Sequence, residues 1–116
     1  MLIKHFDKSD MEKKESFKML LLNEENELIK VSDISEGDEI FCNIDAKKMF
    51  EEIFANNANA IIICHNHCSK NLTPSHNDNI QTKHIQSVCD FFDIRFLGHL
   101  IINLGGYYFM YPYSEE

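Results

Sequence analysis

Residues 58–69 read Ala58-Asn59-Ala60-Ile61-Ile62-Ile63-Cys64-His65-Asn66-His67-Cys68-Ser69. The first half is short, apolar and β-branched, the composition of a buried central strand. Residues i and i+2 of an extended chain point to the same side. His65 and His67 therefore aim two imidazoles at one place where the strand leaves the core. Asp78 follows His67 by eleven positions, at the expected start of the next helix. Two histidines and one carboxylate make a set that catalytic zinc uses, with a fourth position left for water.

Working outward, Phe17–Leu22 reads as a first strand and Glu27–Ile34 as a second, with the polar turn Asn23-Glu24-Glu25-Asn26 making them a hairpin. Ser35-Glu36-Gly37-Asp38 reads as the next turn, and Glu39–Asn43 as a third strand. Asp45 is placed to cap a helix whose Met49, Phe50, Ile53 and Phe54 form an apolar stripe, ended by Asn56-Asn57. After the central strand comes a loop from Cys68 to Asn77. A helix over Asp78–Phe92 follows, with Ile80, His84, Ile85, Val88 and Phe92 near one face. Arg95–Asn103 and Tyr107–Tyr111 are two final strands around Gly105-Gly106. Strands and helices in this order indicate an α/β fold, a mixed sheet flanked by helices on both sides. Residues 1–14 are polar and charged, a lead-in with a helical turn at Met11–Lys14; the domain proper is 15–116.

A chain of 116 residues, 44% hydrophobic, suits one domain with a modest core. It has no membrane-length apolar run and no signal-peptide pattern, so the expected location is the cytoplasm. Cys42, Cys64, Cys68 and Cys89 form no CxxC pair and are expected as free thiols. The net charge of −8 opposes a broad electrostatic grip on nucleic acid.

Bland alternatives stand beside each chemical reading. Ser75-x-x-Asp78 before an apolar helical stripe resembles a capping box, which leaves Ser75 open between helix cap and donor to a reaction centre. Spacing does not select Glu15 from Glu12, Glu24, Glu25 and Glu27, and by itself describes a solvated surface residue. Cys68, next along the chain from His67, would point away from both histidines, and Cys64 packs in the core. His76, His84 and His99 are second-choice ligands. The letters His-Asn-His are not the nuclease motif of similar name, whose residues are spread over a ββα unit.

The run His65-Asn66-His67-Cys68-Ser69-Lys70, with Pro74-Ser75, Asp78 and Thr82, resembles the metal-binding motif of the JAB/MPN (JAMM) family, and more closely the HNHPSG…PS..D…T run of its RadC-like branch. Glu15-Ser16-Phe17 with Leu20-Leu21-Leu22-Asn23, and Leu97-Gly98-His99-Leu100-Ile101-Ile102, extend the likeness over nearly the whole chain from Glu15. Cys68 and Lys70 depart from the branch's Pro and Gly, Gly98 stands where an Asp commonly precedes the histidine, and Lys47 and Lys48 fall where the branch often has Arg. A full-length RadC-type chain carries a further helical domain ahead of the region matched here.

The resemblance implies a three-layer, cytidine-deaminase-like sandwich and one Zn²⁺ held by His65, His67 and Asp78. It implies Glu15 as general base and Ser75 as donor to the oxyanion during hydrolysis of a peptide or isopeptide bond. The substrate would be a peptide or protein. The competing expectation is a non-catalytic MPN-type module for metal binding or protein interaction. A DNA-repair accessory role rests on the branch's naming alone.

Overall fold

A computed structural model describes residues 14–37, 45–68 and 72–110. Its elements are β1 (Glu15–Leu22), β2 (Leu28–Gly37), α1 (Ala46–Ala55), β3 (Ala60–Asn66), α2 (His76–Phe91), β4 (Arg95–Asn103) and β5 (Gly106–Met110). The five strands form one mixed sheet in the order β2-β1-β3-β4-β5. β1 runs antiparallel to both β2 and β3, β3 and β4 are parallel, and β5 returns antiparallel on β4. The expected α/β fold with a mixed sheet is what the chain adopts.

Alternation in β1 decides which face is buried. Glu15, Phe17, Met19 and Leu21 are buried, while Ser16, Lys18 and Leu20 between them are half-exposed. Across the ladder Met19 pairs with Ile63 and Leu21 with Ile61, so these side chains share one face. Met49 and Ile53 of α1, and Ile85 and Cys89 of α2, complete the same cluster. Each buried aliphatic side chain stabilises the fold by roughly 1.5–3 kcal/mol relative to exposure. Both described helices thus contribute to the cluster on one face; no layer over the other face lies among the described residues.

Local chemistry sets the ends of the elements. Asn23 turns the β1–β2 hairpin: its Oδ1 accepts from the Glu25 and Glu27 amides, each at 2.9 Å, and Asn26 adopts φ 62°. Asp45 caps α1 through the Lys48 amide at 3.1 Å. Ser35-Glu36-Gly37, expected as a turn, instead continues β2. Ser16 pairs with Glu36 and Glu15 with Gly37 beyond a bulge at Phe17/Lys18, so ladder pairing outweighs the turn preference of those residues. α2 begins two residues earlier than Asp78, because Ser75 supplies the cap. The strand expected at Glu39–Asn43, the helical turn at Met11–Lys14 (apart from Lys14) and Cys42 lie outside the described residues.

β4 carries a bulge that matters for the site. Phe96 pairs with Ile61, but Gly98 pairs with Ile62, so Leu97 is the extra residue. Three positions instead of two separate Phe96, in the core cluster, from His99, which pairs with Ile63 on the same face. Gly98 sits at φ 151°, a backbone conformation that favours glycine.

Candidate metal centre

The site lies where β3 leaves the sheet, between the start of β1 and the N-terminus of α2. His65 pairs with Phe17, and their rings stack with centroids 4.5 Å apart. The His67 amide donates to the Ile102 carbonyl at 2.9 Å, which carries the β3–β4 ladder one residue past Asn66. The two rings lie on one side with centroids 4.7 Å apart. Glu15, two residues before Phe17, shares that side and is only 6% exposed. Ligand atoms of Glu15, His65 and His67 all fall within 4.8 Å of one another. A group of this kind could hold a metal ion.

Asp78 closes the site from α2. Its Oδ1 is 3.5 Å from His65 Nε2 and its Oδ2 is 3.1 Å from His67 Nε2. The Ser75 amide donates to Oδ2 at 2.8 Å, and Ser75 Oγ accepts from the Asp78 amide at 3.0 Å. That reciprocal pair is a capping box with Asp in place of Glu. It also turns the carboxylate toward the histidines. Ser75 is exposed, and its hydroxyl, having accepted one bond, keeps its proton to donate.

Behind the histidines stands a buried polar file. His65 Nδ1 lies 2.6 Å from His99 Nε2, and His99 Nδ1 lies 2.8 Å from Thr82 Oγ1. Thr82 Oγ1 in turn donates to the Asp78 carbonyl at 2.7 Å. His65, His99 and Thr82 are fully buried. Asn66 faces the other way and clips β1: its Oδ1 accepts from the Ser16 amide at 2.8 Å, and its Nδ2 donates to the Lys14 carbonyl at 2.8 Å. Those are the backbone groups on either side of Glu15.

The electrostatics suit ligation. Burial, reinforced by His99 and His67 and only partly offset by Asp78, holds His65 well below its ordinary pKa. Burial likewise lowers His99 to about 4. Burial pushes Asp78 upward but is outweighed by the His67 hydrogen bond, nearby His65 and the Ser75 amide, which hold its carboxyl well below the usual range. A neutral His65 beside an ionised Asp78 has the protonation states that metal ligands need. His65 Nε2 is buried and makes no hydrogen bond. Such an atom is costly unless something occupies its lone pair.

The geometry brings Glu15, His65, His67 and Asp78 together and places Ser75 at the rim as the helix cap. Glu15 is not the solvated residue that local spacing alone describes. His76 and His84 are exposed on α2, and His99 contacts His65 from behind without being one of the grouped ligand residues. Lys47 and Lys48 are exposed on α1. Cys64, Cys68 and Cys89 form no disulfide among the described residues, and burial pushes Cys64 and Cys89 up to about 12. Sequence reasoning passed over the working contacts of Asn66 and Thr82. The middle letter of His-Asn-His was the signal for one, and a Thr four residues after Asp78 for the other.

A family model described as "RadC-like JAB domain" matches residues 2–114. A "UPF0758 protein" of Actinobacillus pleuropneumoniae is 34% identical over 107 residues, covering 92% of this chain and 47% of that protein. One of Clostridium tetani is 38% identical over 95 residues, covering 82% of this chain and 42% of that protein. One of Flavobacterium johnsoniae is 36% identical over 94 residues, covering 81% of this chain and 41% of that protein. The chain therefore spans less than half the length of these relatives. With the family model matching residues 2–114 of the chain, and the histidine pair, Asp78 and Glu15 gathered at one strand end, this chain belongs to the RadC-like JAB domain family.

Proposed function

We propose that this domain is a zinc-dependent hydrolase of the JAMM type that cleaves a peptide or isopeptide bond of a peptide or protein substrate in the cytoplasm. The observation that carries this reading is the bare, buried Nε2 of His65, facing Asp78 and grouped with His67 and Glu15. His65, His67 and Asp78 would hold the cation, the two imidazoles as neutral donors and the carboxylate as the charged one. A zinc ion held there would lower the pKa of water and polarise a carbonyl. Glu15, buried at the same face and not needed as a third ligand, takes the proton from the attacking water and passes it to the leaving amine as the C–N bond breaks. The Ser75 hydroxyl, anchored by the Asp78 amide, donates to the oxyanion that forms at the carbonyl oxygen as water adds to the carbon. Asn66 holds Glu15 in place through the peptide groups on both sides of it. No described helix is long and apolar enough to cross a membrane.

The test uses zinc-loaded protein and a peptide mixture, with new amino termini read by mass spectrometry. Native protein generates new termini, and Glu15→Gln loses at least a hundredfold in rate while keeping its zinc, in line with the size of general-base contributions. Equal cleavage by Glu15→Gln would remove Glu15 from the reaction. Zinc bound by native protein with no cleavage of any peptide would favour the non-catalytic module.

A further inference from the structure

The file behind His65 is a set of hydrogen bonds whose direction can be worked out from one end. Thr82 Oγ1 lies 2.7 Å from the Asp78 carbonyl, which can only accept, so the hydroxyl proton is committed there. A hydroxyl has one proton. The 2.8 Å contact between Thr82 Oγ1 and His99 Nδ1 must then run the other way, with Nδ1–H donating. A neutral His99 protonated on Nδ1 has its lone pair on Nε2. That lone pair meets His65 Nδ1 at 2.6 Å, so His65 Nδ1–H is the donor. A neutral His65 protonated on Nδ1 presents a bare Nε2, the buried atom that makes no hydrogen bond and faces Asp78 Oδ1 at 3.5 Å. The reverse direction would require a second proton on His99, a charge at a fully buried ring. It would also place an N–H, not a lone pair, toward Glu15, His67 and Asp78.

We propose that Thr82 and His99 are positioning residues that lock His65 in its Nδ1–H tautomer, so that its Nε2 lone pair is fixed toward the cation. The relay begins at the Asp78 carbonyl, so the backbone of one proposed ligand sets the proton position on another. α2 supplies both ends of that link, Asp78 and Thr82 being one turn apart. The inference rests on the metal-binding reading of the site, but its first readout does not. Partners of this kind typically change metal affinity tenfold to a hundredfold.

The experiment records long-range ¹H–¹⁵N spectra of the imidazoles in metal-free native protein, Thr82→Val and Thr82→Ser, followed by titration of each with zinc sulfate against a chromophoric chelator. Native protein should show His65 and His99 both protonated on Nδ1. In Thr82→Val, His99 Nδ1 has no acceptor, its proton moves to Nε2, and His65 changes to the Nε2–H form. Zinc affinity then falls roughly tenfold to a hundredfold. Thr82→Ser keeps the hydroxyl and should restore both the tautomers and the affinity. His65 found protonated on Nε2 in the native protein overturns the relay, and so does native zinc affinity in Thr82→Val. If Thr82→Val does not fold, the native spectrum and the serine variant decide. Failure of the native protein to bind zinc overturns the metal reading instead, while the metal-free spectrum still judges the relay.

Discussion

Three side chains at this site behave unlike their free counterparts, with consequences for pH. His65 and His99 are neutral well below the range in which an unfolded histidine titrates, about 6.5. Between roughly 4 and 6.5 the unfolded chain therefore binds more protons than the folded one, and stability rises with pH across that window. Metal-free protein should lose stability as pH falls from about 6.5, by up to about tenfold in the folding constant per pH unit for each histidine. The lowered Asp78 carboxyl acts in the same direction at still lower pH: its contribution is present above about 4 and lost as acid protonates it. Urea midpoints measured from about pH 7.5 to 4.5 check this, and a flat profile between about 7 and 5 would mean that the rings are charged or solvated. Asn66 gives a second test at this scale. Asn66→Ala leaves the Ser16 amide and Lys14 carbonyl to find other partners and frees the backbone around Glu15. We expect about 1–3 kcal/mol lost in stability, the range for removing a partner from part-buried polar groups, with zinc affinity changed less than by loss of a ligand. An unchanged urea midpoint would show that the clip is dispensable.

At the scale of elements, the site depends on the phase of two segments. The capping box starts α2 at Ser75 and sets Asp78 at the third helical position, where its carboxylate turns back toward β3. The bulge at Leu97 and Gly98 brings His99 onto the face that Phe96 also occupies. Had the three positions from Phe96 to His99 run as regular strand, alternation would place His99 on the face opposite Phe96 and break the contact with His65. Gly98 at φ 151° makes the bulge specific for glycine. Gly98→Asp, which restores a residue common in the RadC-like branch, is expected to cost about 1–3 kcal/mol here. That amounts to a fall in melting temperature of several degrees for a domain of this size. Thermal unfolding checks it, and an unchanged melting temperature would show that the β4 backbone accepts a side chain without strain.

For the molecule as a whole, the parts legible in the sequence were those with strict period or strict chemistry. The apolar run Ala60–Ile63 marked the central strand, Asp45 announced α1, and the His65, His67 and Asp78 spacing named side chains that meet in the fold, with Asp78 3.5 Å from His65 and 3.1 Å from His67. Glu15 could not be told from its acidic neighbours, because its burial comes from long-range pairing of β1 with β2 and β3, not from local pattern. The continuation of β2 through Ser35-Glu36-Gly37 was hidden for the same reason: turn residues were held extended by their distant partners Phe17, Ser16 and Glu15. The contacts of Thr82 and His99 could not be read from the chain, since the bulge that aligns them has only a glycine as its trace. Everything functional in this account rests on one cation held by this strand end and this helix start. The most direct measurement is zinc content per chain after equilibration with zinc and removal of excess, for native protein, Asp78→Asn and the His65→Ala/His67→Ala double variant. We expect about one equivalent in the native chain, a large loss in Asp78→Asn, and none above background in the double variant. Equal zinc in all three would contradict it.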